Sequence, residues 1–182
     1  DVEGLVNFAG QEGIGITVIG PEGPLDMGIV DRFREAGLNC LGPTKTASKL
    51  EGSKGFAKEF MHRFNIPTGC YQIFSDLADA KEYVRTQGTP IVIKADGLAA
   101  GKGVVVALSE DQAMLALEQI MSERRVGEAG QTVVIEEFLE GEEASFICIC
   151  DGKTAIPFAS SQDHKARDEG DLGPNTGGMG AY

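Results

Sequence analysis

Apolar and polar positions follow two rhythms along the chain, and each change of rhythm marks an element. Residues 2–11 carry apolar side chains at helical spacing and feed a short apolar stretch, 16–19, which stops at Gly20-Pro21-Glu22. Asp26 stands where it can cap a helix running to Ala36, Gly37 closes that helix, and residues 39–41 form a second short strand ended by Gly42-Pro43. Strand, helix and strand in that order predict part of a parallel sheet with helices on its faces. Its ligand edge should lie at the carboxyl end of the first strand, at Gly20-Pro21-Glu22.

From residue 44 to 64 the pattern is helical, with Ser53 placed to cap the segment that carries Phe56, Phe60 and Phe64, and Pro67 stops it. A new unit follows: strand 71–74, helix 75–86, strand 90–94, strand 104–107, helix 109–121 and strand 132–136. Ser109 and Gln112 form a capping box at the start of the second helix. Two strand-helix units with an internal loop predict a small α+β subdomain. Residues 143–150 and 154–160 then bracket Asp151-Gly152, a hairpin-turn signal. No repeat or low-complexity tract interrupts this order.

The chemistry concentrates in residues 90–103, PIVIKADGLAAGKG, where an apolar strand ends in Lys94 and opens into a glycine-rich loop with a second lysine, Lys102. Glycine-exposed backbone N–H groups and two ammonium groups suit a polyphosphate. A Walker P-loop does not fit: three residues rather than four separate Gly97 from Gly101, and a β-branched strand rather than a helix follows Gly103. A dinucleotide fingerprint fails as well, because Val18 stands where the motif begun by Gly13-Ile14-Gly15 needs glycine, so a Rossmann oxidoreductase is disfavoured. What remains is a phosphate flap on an antiparallel hairpin, or a glycine-rich hairpin with solvated lysines.

Composition narrows the partners. The 182 residues carry a net charge of −12, which disfavours a nucleic-acid backbone as partner and requires any phosphate site to be local. No apolar run reaches membrane-spanning length. Cys40, Cys70, Cys148 and Cys150 are scattered without a C-x-x-C pair, so buried free thiols in a reducing cytoplasm are expected rather than disulfides or a metal site. The chain begins at Asp1 and stops just after GPNTGGMGAY, and is read as an internal fragment of a longer protein.

Further segments agree with the loop. Residues 134–139, VIEEFL, form an apolar strand running into paired carboxylates and followed by Gly141-Glu142-Glu143; such a segment can meet an adenine edge and ribose hydroxyls, or be a solvated strand end. Taken with Leu50-Glu51-Gly52-Ser53-Lys54, SSQDHK and GDLGPNTGGMGAY, these motifs resemble an ATP-grasp enzyme, and within that superfamily the phosphoribosylamine-glycine ligases of purine biosynthesis. The resemblance extends over essentially the whole chain, and its last motif is the most specific to these ligases.

The resemblance implies a partial ATP-grasp fold, α/β and α+β, preceded by the end of a Rossmann-like amino-terminal domain. Residues 1–44 would be that domain's end, 45–71 the first part of the ATP-grasp core with a linker, 72–137 the lid and 138–182 the start of the second part of the core. It implies Lys54 and Lys94 on the ATP phosphates, Gly97, Gly101, Lys102 and Gly103 in the closing loop, Glu136, Glu137, Phe138 and Leu139 at adenine, and Glu143 at ribose. Gly20, Pro21 and Glu22 would meet 5-phosphoribosylamine. His164, Lys165, Asn175 and Thr176, with Asp163, Asp171, Pro174, Gly177, Gly178, Met179 and Gly180, would line the chamber where glycine meets the γ-phosphate.

The implied reaction activates glycine as glycyl phosphate, which the amine of phosphoribosylamine then attacks. Magnesium would assist, on ligands expected past Tyr182, so the piece alone should be inactive. One departure from the family pattern is Ala166 directly after Asp163-His164-Lys165, where arginine is usual; Arg167 follows one place later. Either Arg167 reaches the same anion from a shifted backbone or that contact is lost. Rival readings are another ATP-grasp carboxylate-amine ligase and a non-catalytic adenine-nucleotide-binding module.

Overall fold

The computed structural model describes residues 1–99, 103–170, 172–176 and 180. It divides into two units, one of Asp1–Ala99 with Gly103–Glu137 and a second that continues from Phe138.

The first unit opens with α1 (Val2–Gln11), capped by the Asp1 carboxylate, which accepts from Gly4 N at 2.9 Å. Strand β1 (Thr17–Val18) pairs in parallel with β2 (Cys40–Leu41), as the strand-helix-strand rhythm predicts. Between them the single helix expected over residues 26–36 is instead two, α2 (Glu22–Asp26) and α3 (Ile29–Glu35). Gly28 adopts φ +88°, a left-handed conformation that breaks the helix, and Asp26 ends α2 rather than capping a helix. Ile29, Val30 and Phe33 of α3 bury against Val6 and Ala9 of α1.

The helical stretch that follows is divided at Ser53. Its extended backbone ends α4 (Lys45–Gly52) and its hydroxyl caps α5 (Lys54–Arg63) by accepting from Phe56 N at 3.1 Å.

Beyond α5 lies an antiparallel sheet in the order β3 (Tyr71–Phe74), β6 (Val133–Glu137), β4 (Ile91–Ala95), β5 (Val104–Ala107). The two-residue period of a strand sorts its side chains by face. Ile91, Ile93 and Ala95 of β4 and Val133 and Ile135 of β6 meet Ala80 and Val84 of α6 (Leu77–Gln87) and Ala113, Ala116 and Leu117 of α7 (Glu110–Leu117). Ile93 and Ile135 are fully buried, each worth about 1.5–3 kcal/mol of transfer free energy. The alternate positions, Lys94 on β4 and Glu136 on β6, belong to the other face, and this is how the sheet presents charge opposite its core.

Helix α7 ends four residues before the expected limit at Met121 and passes into a π-helical turn, Glu118–Ser122. At its start Ser109 Oγ accepts from Gln112 N at 3.4 Å, while Gln112 Oε1 accepts from Leu108 N at 2.9 Å, one residue earlier than in the usual capping box.

The described part of the second unit consists of short hairpins. Strands β7 (Cys148–Cys150) and β8 (Ala155–Pro157) pair about Asp151-Gly152, where Asp151 Oδ1 accepts from Lys153 N at 2.9 Å and Thr154 N at 2.7 Å. Strands β9 (Ala166–Asp168) and β10 (Leu172–Asn175) form a second antiparallel pair.

All four cysteines are free, but the expectation that they are buried fails: Cys70 and Cys150 are exposed, and Cys40 and Cys148 are only half-buried. For Cys150 the reason is layering: among the described residues of this unit no helix covers the β7–β8 hairpin. Among the described residues no helix is long and apolar enough to cross a membrane.

Candidate functional site

The site grows from the meeting of the start of α5 with the segment that leaves β4. Asp96, the residue after β4, accepts Lys54 N on its carbonyl at 3.0 Å and donates its own N–H to Thr132 O at 2.9 Å. Its carboxylate accepts from Gly55 N at 2.6 Å and from Ser53 Oγ at 3.1 and 3.2 Å. An anion is favoured at a helix amino terminus, and here the protein supplies its own. With the first turn of α5 pinned in this way, Lys54 Nζ reaches Gly97 O at 3.1 Å.

Burial pushes the Lys54 ammonium below the usual lysine range, and neighbouring Lys94 acts in the same direction against the pull of Asp96, Glu51 and Glu136. Gly97 itself has a packing reason to be glycine: a Cβ there would stand 2.9 Å from Ala129 Cβ.

Lys94 and Glu136 sit on adjacent antiparallel strands. Lys94 is directly opposite Val134, so Glu136 is its diagonal neighbour on the same face, within reach of a long side chain. Lys94 Nζ donates to Glu136 Oε2 at 3.0 Å, and Lys58 Nζ, one turn along α5 from Lys54, forms an ion pair with the same oxygen at 3.0 Å. Glu136 and Lys58 are buried, whereas the Lys94 side chain keeps 28% of its surface exposed. Breaking a buried pair such as Lys58–Glu136 by deleting one partner costs about 3–5 kcal/mol. Glu137, next along β6, turns the other way and accepts from Cys70 N at 2.9 Å.

The structure therefore brings together Lys54, Lys94, Gly97 and Glu136, four of the residues singled out from the sequence. Gly103 lies just before β5, and Gly101 and Lys102 lie outside the described residues. Gly20 and Pro21 occupy the connection from the carboxyl end of β1 to α2, and Glu22 begins that helix.

In the second unit, Phe138 is half-buried and Leu139 exposed. Lys165 Nζ donates to both carboxylate oxygens of Glu143, at 2.7 and 3.0 Å, and Lys165 O accepts from Thr176 N at 2.7 Å and Thr176 Oγ1 at 3.2 Å. Asn175 and Pro174 fall on β10, with Asn175 opposite Ala166. Asp163 is half-buried, His164 is exposed and Gly180 lies against the Gln162 carbonyl. Asp171, Gly177, Gly178 and Met179 lie outside the described residues. Arg167 grips Asp168 through two hydrogen bonds, at 2.8 and 3.0 Å, which raise the guanidinium pKa and lower that of the carboxyl. Among the described residues no group of three His, Cys, Asp or Glu is placed to hold a metal ion.

Sequence reasoning missed Ser53 as a partner of Asp96, and missed Asp96 and Lys58 altogether. Signals existed: Asp96 lies inside the quoted loop motif, and Lys58 is four residues from Lys54, on the same face of a helix.

The fold and the lysine-bearing sheet face define an ATP-grasp protein. Residues 52–182 match the family described as phosphoribosylglycinamide synthetase, ATP-grasp (A) domain, and residues 1–51 match phosphoribosylglycinamide synthetase, N domain. The chain belongs to the phosphoribosylglycinamide synthetase family.

It is 58% identical, over its whole length, to a phosphoribosylamine–glycine ligase of Allochromatium vinosum and 59% identical to one of Ralstonia nicotianae. It spans 42% and 43% of those proteins, less than half the length of the relatives it matches. The crystal structure of phosphoribosylamine–glycine ligase from Thermotoga maritima superposes with a TM-score of 0.71 at 36% identity, covering 78% of this chain and 36% of that one. A biotin carboxylase–β-γ-ATP complex from Campylobacter jejuni shares the fold, with a TM-score of 0.76 at 19% identity, over 92% of this chain and 39% of the other.

Proposed function

We propose that this chain is the nucleotide-gripping part of an ATP-dependent ligase that joins glycine to 5-phosphoribosylamine, giving glycinamide ribonucleotide, ADP and phosphate. The observation that carries the reading is identity of 58% along the entire chain to a phosphoribosylamine–glycine ligase. The cluster of Lys54, Lys94 and Glu136 supports the nucleotide part. It sets two partly exposed lysines beside a loop backbone, and this donor set suits phosphate oxygens.

Bound ATP supplies the phosphoryl group that activates the glycine carboxylate. The chain's own residues have the electrostatic task. Carboxylate and polyphosphate repel, so Lys54 and Lys94 offset charge on the phosphate side, and no side-chain nucleophile is needed. Residues 136–139 hold the adenine, largely through backbone groups, and Glu143 the ribose. Gly20, Pro21 and Glu22 receive phosphoribosylamine at the carboxyl edge of β1, where α/β sheets take their ligands. Lys165, with Thr176 held to its carbonyl, offers a cation and a hydroxyl to the glycine chamber. Residues 72–137 form the lid in this reading, and magnesium, held by ligands other than the described residues, would offset further phosphate charge. Free thiols fit a cytoplasmic location.

The test is ADP release by the full-length protein with phosphoribosylamine and each candidate amino acid in turn. Glycine should stimulate release, and glycinamide ribonucleotide should accumulate in equal amount. Stimulation by another amino acid in place of glycine sinks the proposal while leaving the ATP-grasp fold intact.

A further inference from the structure

Lys58 has no part in the nucleotide contacts just described, yet it is the buried cation of this face, 7% exposed. Its ammonium donates to Thr68 Oγ1 at 2.8 Å and to Gly69 O at 3.5 Å, forms an ion pair with Glu136 Oε2 at 3.0 Å and stands 5.7 Å from the centroid of the Tyr71 ring. Three elements, α5, β6 and the connection before β3, thus converge on one charge.

The informative feature is the sharing of an oxygen. Glu136 Oε2 receives both Lys58 and Lys94 at 3.0 Å, so one carboxylate stands between two ammonium groups. Lys94 is the partly exposed member and Lys58 the enclosed one. Without Lys58, Glu136 and Lys94 would form a neutral pair, and the phosphates would meet a cation already spoken for. With it, the cluster keeps one positive charge in excess, on the side where Lys94 is exposed.

We propose that Lys58 is a positioning residue for nucleotide binding: it neutralises Glu136 from within the fold, which leaves the charge of Lys94 available to the phosphates. This rests on the reading of Lys94 as a phosphate contact. A merely structural Lys58, holding α5 to β6, would act on the adenine edge and the phosphates alike, because Glu136 leads directly into residues 137–139.

The two roles separate in the ratio of ATP to adenosine affinity, measured by calorimetry on the full-length protein. Lys58→Met should weaken ATP binding on the order of tenfold, the effect of losing one nearby charge at a partly exposed site, and change adenosine binding by less than about threefold. Lys58→Arg should keep the wild-type ratio. The double variant K58M/E136Q should bring the ratio back, since Lys94 is then unpaired again. Glu136→Gln alone should raise the ratio, and its amide oxygen can still accept from the buried lysine, which keeps the test available even if K58M does not fold.

An unchanged ratio in K58M, or no rise in E136Q, overturns the proposal. Lys94→Met, run alongside, distinguishes the two levels. Unchanged ATP affinity in K94M removes the underlying reading of the site. A loss in K94M without a change of ratio in K58M removes only the role given to Lys58.

Discussion

Replacing Asp96 with alanine should loosen the amino terminus of α5 and, through it, the hold on Lys54. Asp96 contributes a charge-assisted hydrogen bond to Gly55 N at 2.6 Å and two contacts to the Ser53 hydroxyl, which itself caps the helix at Phe56 N. A charge-assisted bond is worth about 1.5–3 kcal/mol, and a negative charge at a helix amino terminus about 0.3–1 kcal/mol more. Water can replace part of the Ser53 contact, so the local loss should be about 2–3 kcal/mol. Asn at this position keeps an acceptor but not the charge, and should lose about half of that.

The assay is hydrogen exchange at the Gly55 and Phe56 amides of the full-length protein, where about 2 kcal/mol of local opening corresponds to roughly 30-fold faster exchange. ATP affinity should fall in the same order, wild type above D96N above D96A. Exchange in D96A within about threefold of wild type would refute the argument, because the bonds to Asp96 would then not be what orders the first turn of α5.

Other outcomes follow from the same structure. The Lys54 ammonium has a folded-state pKa below that of an ordinary lysine, so the unfolded chain holds more protons on the alkaline side and this group's contribution to stability rises with pH across that window. Phosphate binding needs the charged form; ATP affinity should therefore fall before ordinary lysines titrate, with proton uptake on binding, and K54R should abolish that uptake in calorimetry across buffers of differing ionisation enthalpy. Lys94→Ala should weaken ATP binding at least about tenfold, and unchanged affinity would remove the sheet face from the site. Arg167→Ala should leave the melting temperature unmoved, since the Arg167–Asp168 pair is exposed, but should raise the KM for one of the anionic substrates about tenfold if Arg167 replaces the family arginine; a neutral result makes it a surface pair. Ile93→Ala should cost about 2–5 kcal/mol in denaturant unfolding, and a loss below about 1 kcal/mol would contradict its place in the core.

Most element boundaries were legible because they depend on local chemistry. The Ser53 cap, the Asp151-Gly152 turn and the β-branched run after the loop each determine the backbone within a few residues of themselves. The error in the first unit has the same origin. Gly28 was available to break the helix, but glycine inside a helical pattern is compatible with continuation, and the choice was made by the packing of α3 on α1. Burial of cysteine was misjudged because a strand pattern says which residues share a face and nothing of whether another layer covers it.

The site divides along a similar line. Groups that touch a phosphate leave a compositional mark, glycines beside lysines, because ligand chemistry restricts the residue types that can serve. Asp96 and Lys58 serve other protein groups. A lysine on an amphipathic helix is by default solvated, and only the crossing of α5 with β6 turns Lys58 into a buried counter-charge. Its proposed consequence is also non-local: one carboxylate shared by two ammonium groups would change the net charge offered to a ligand that Lys58 does not touch. Lys94 is therefore a phosphate-binding candidate by its motif, while the strength of that proposed contact would be set by a residue that carries no motif at all.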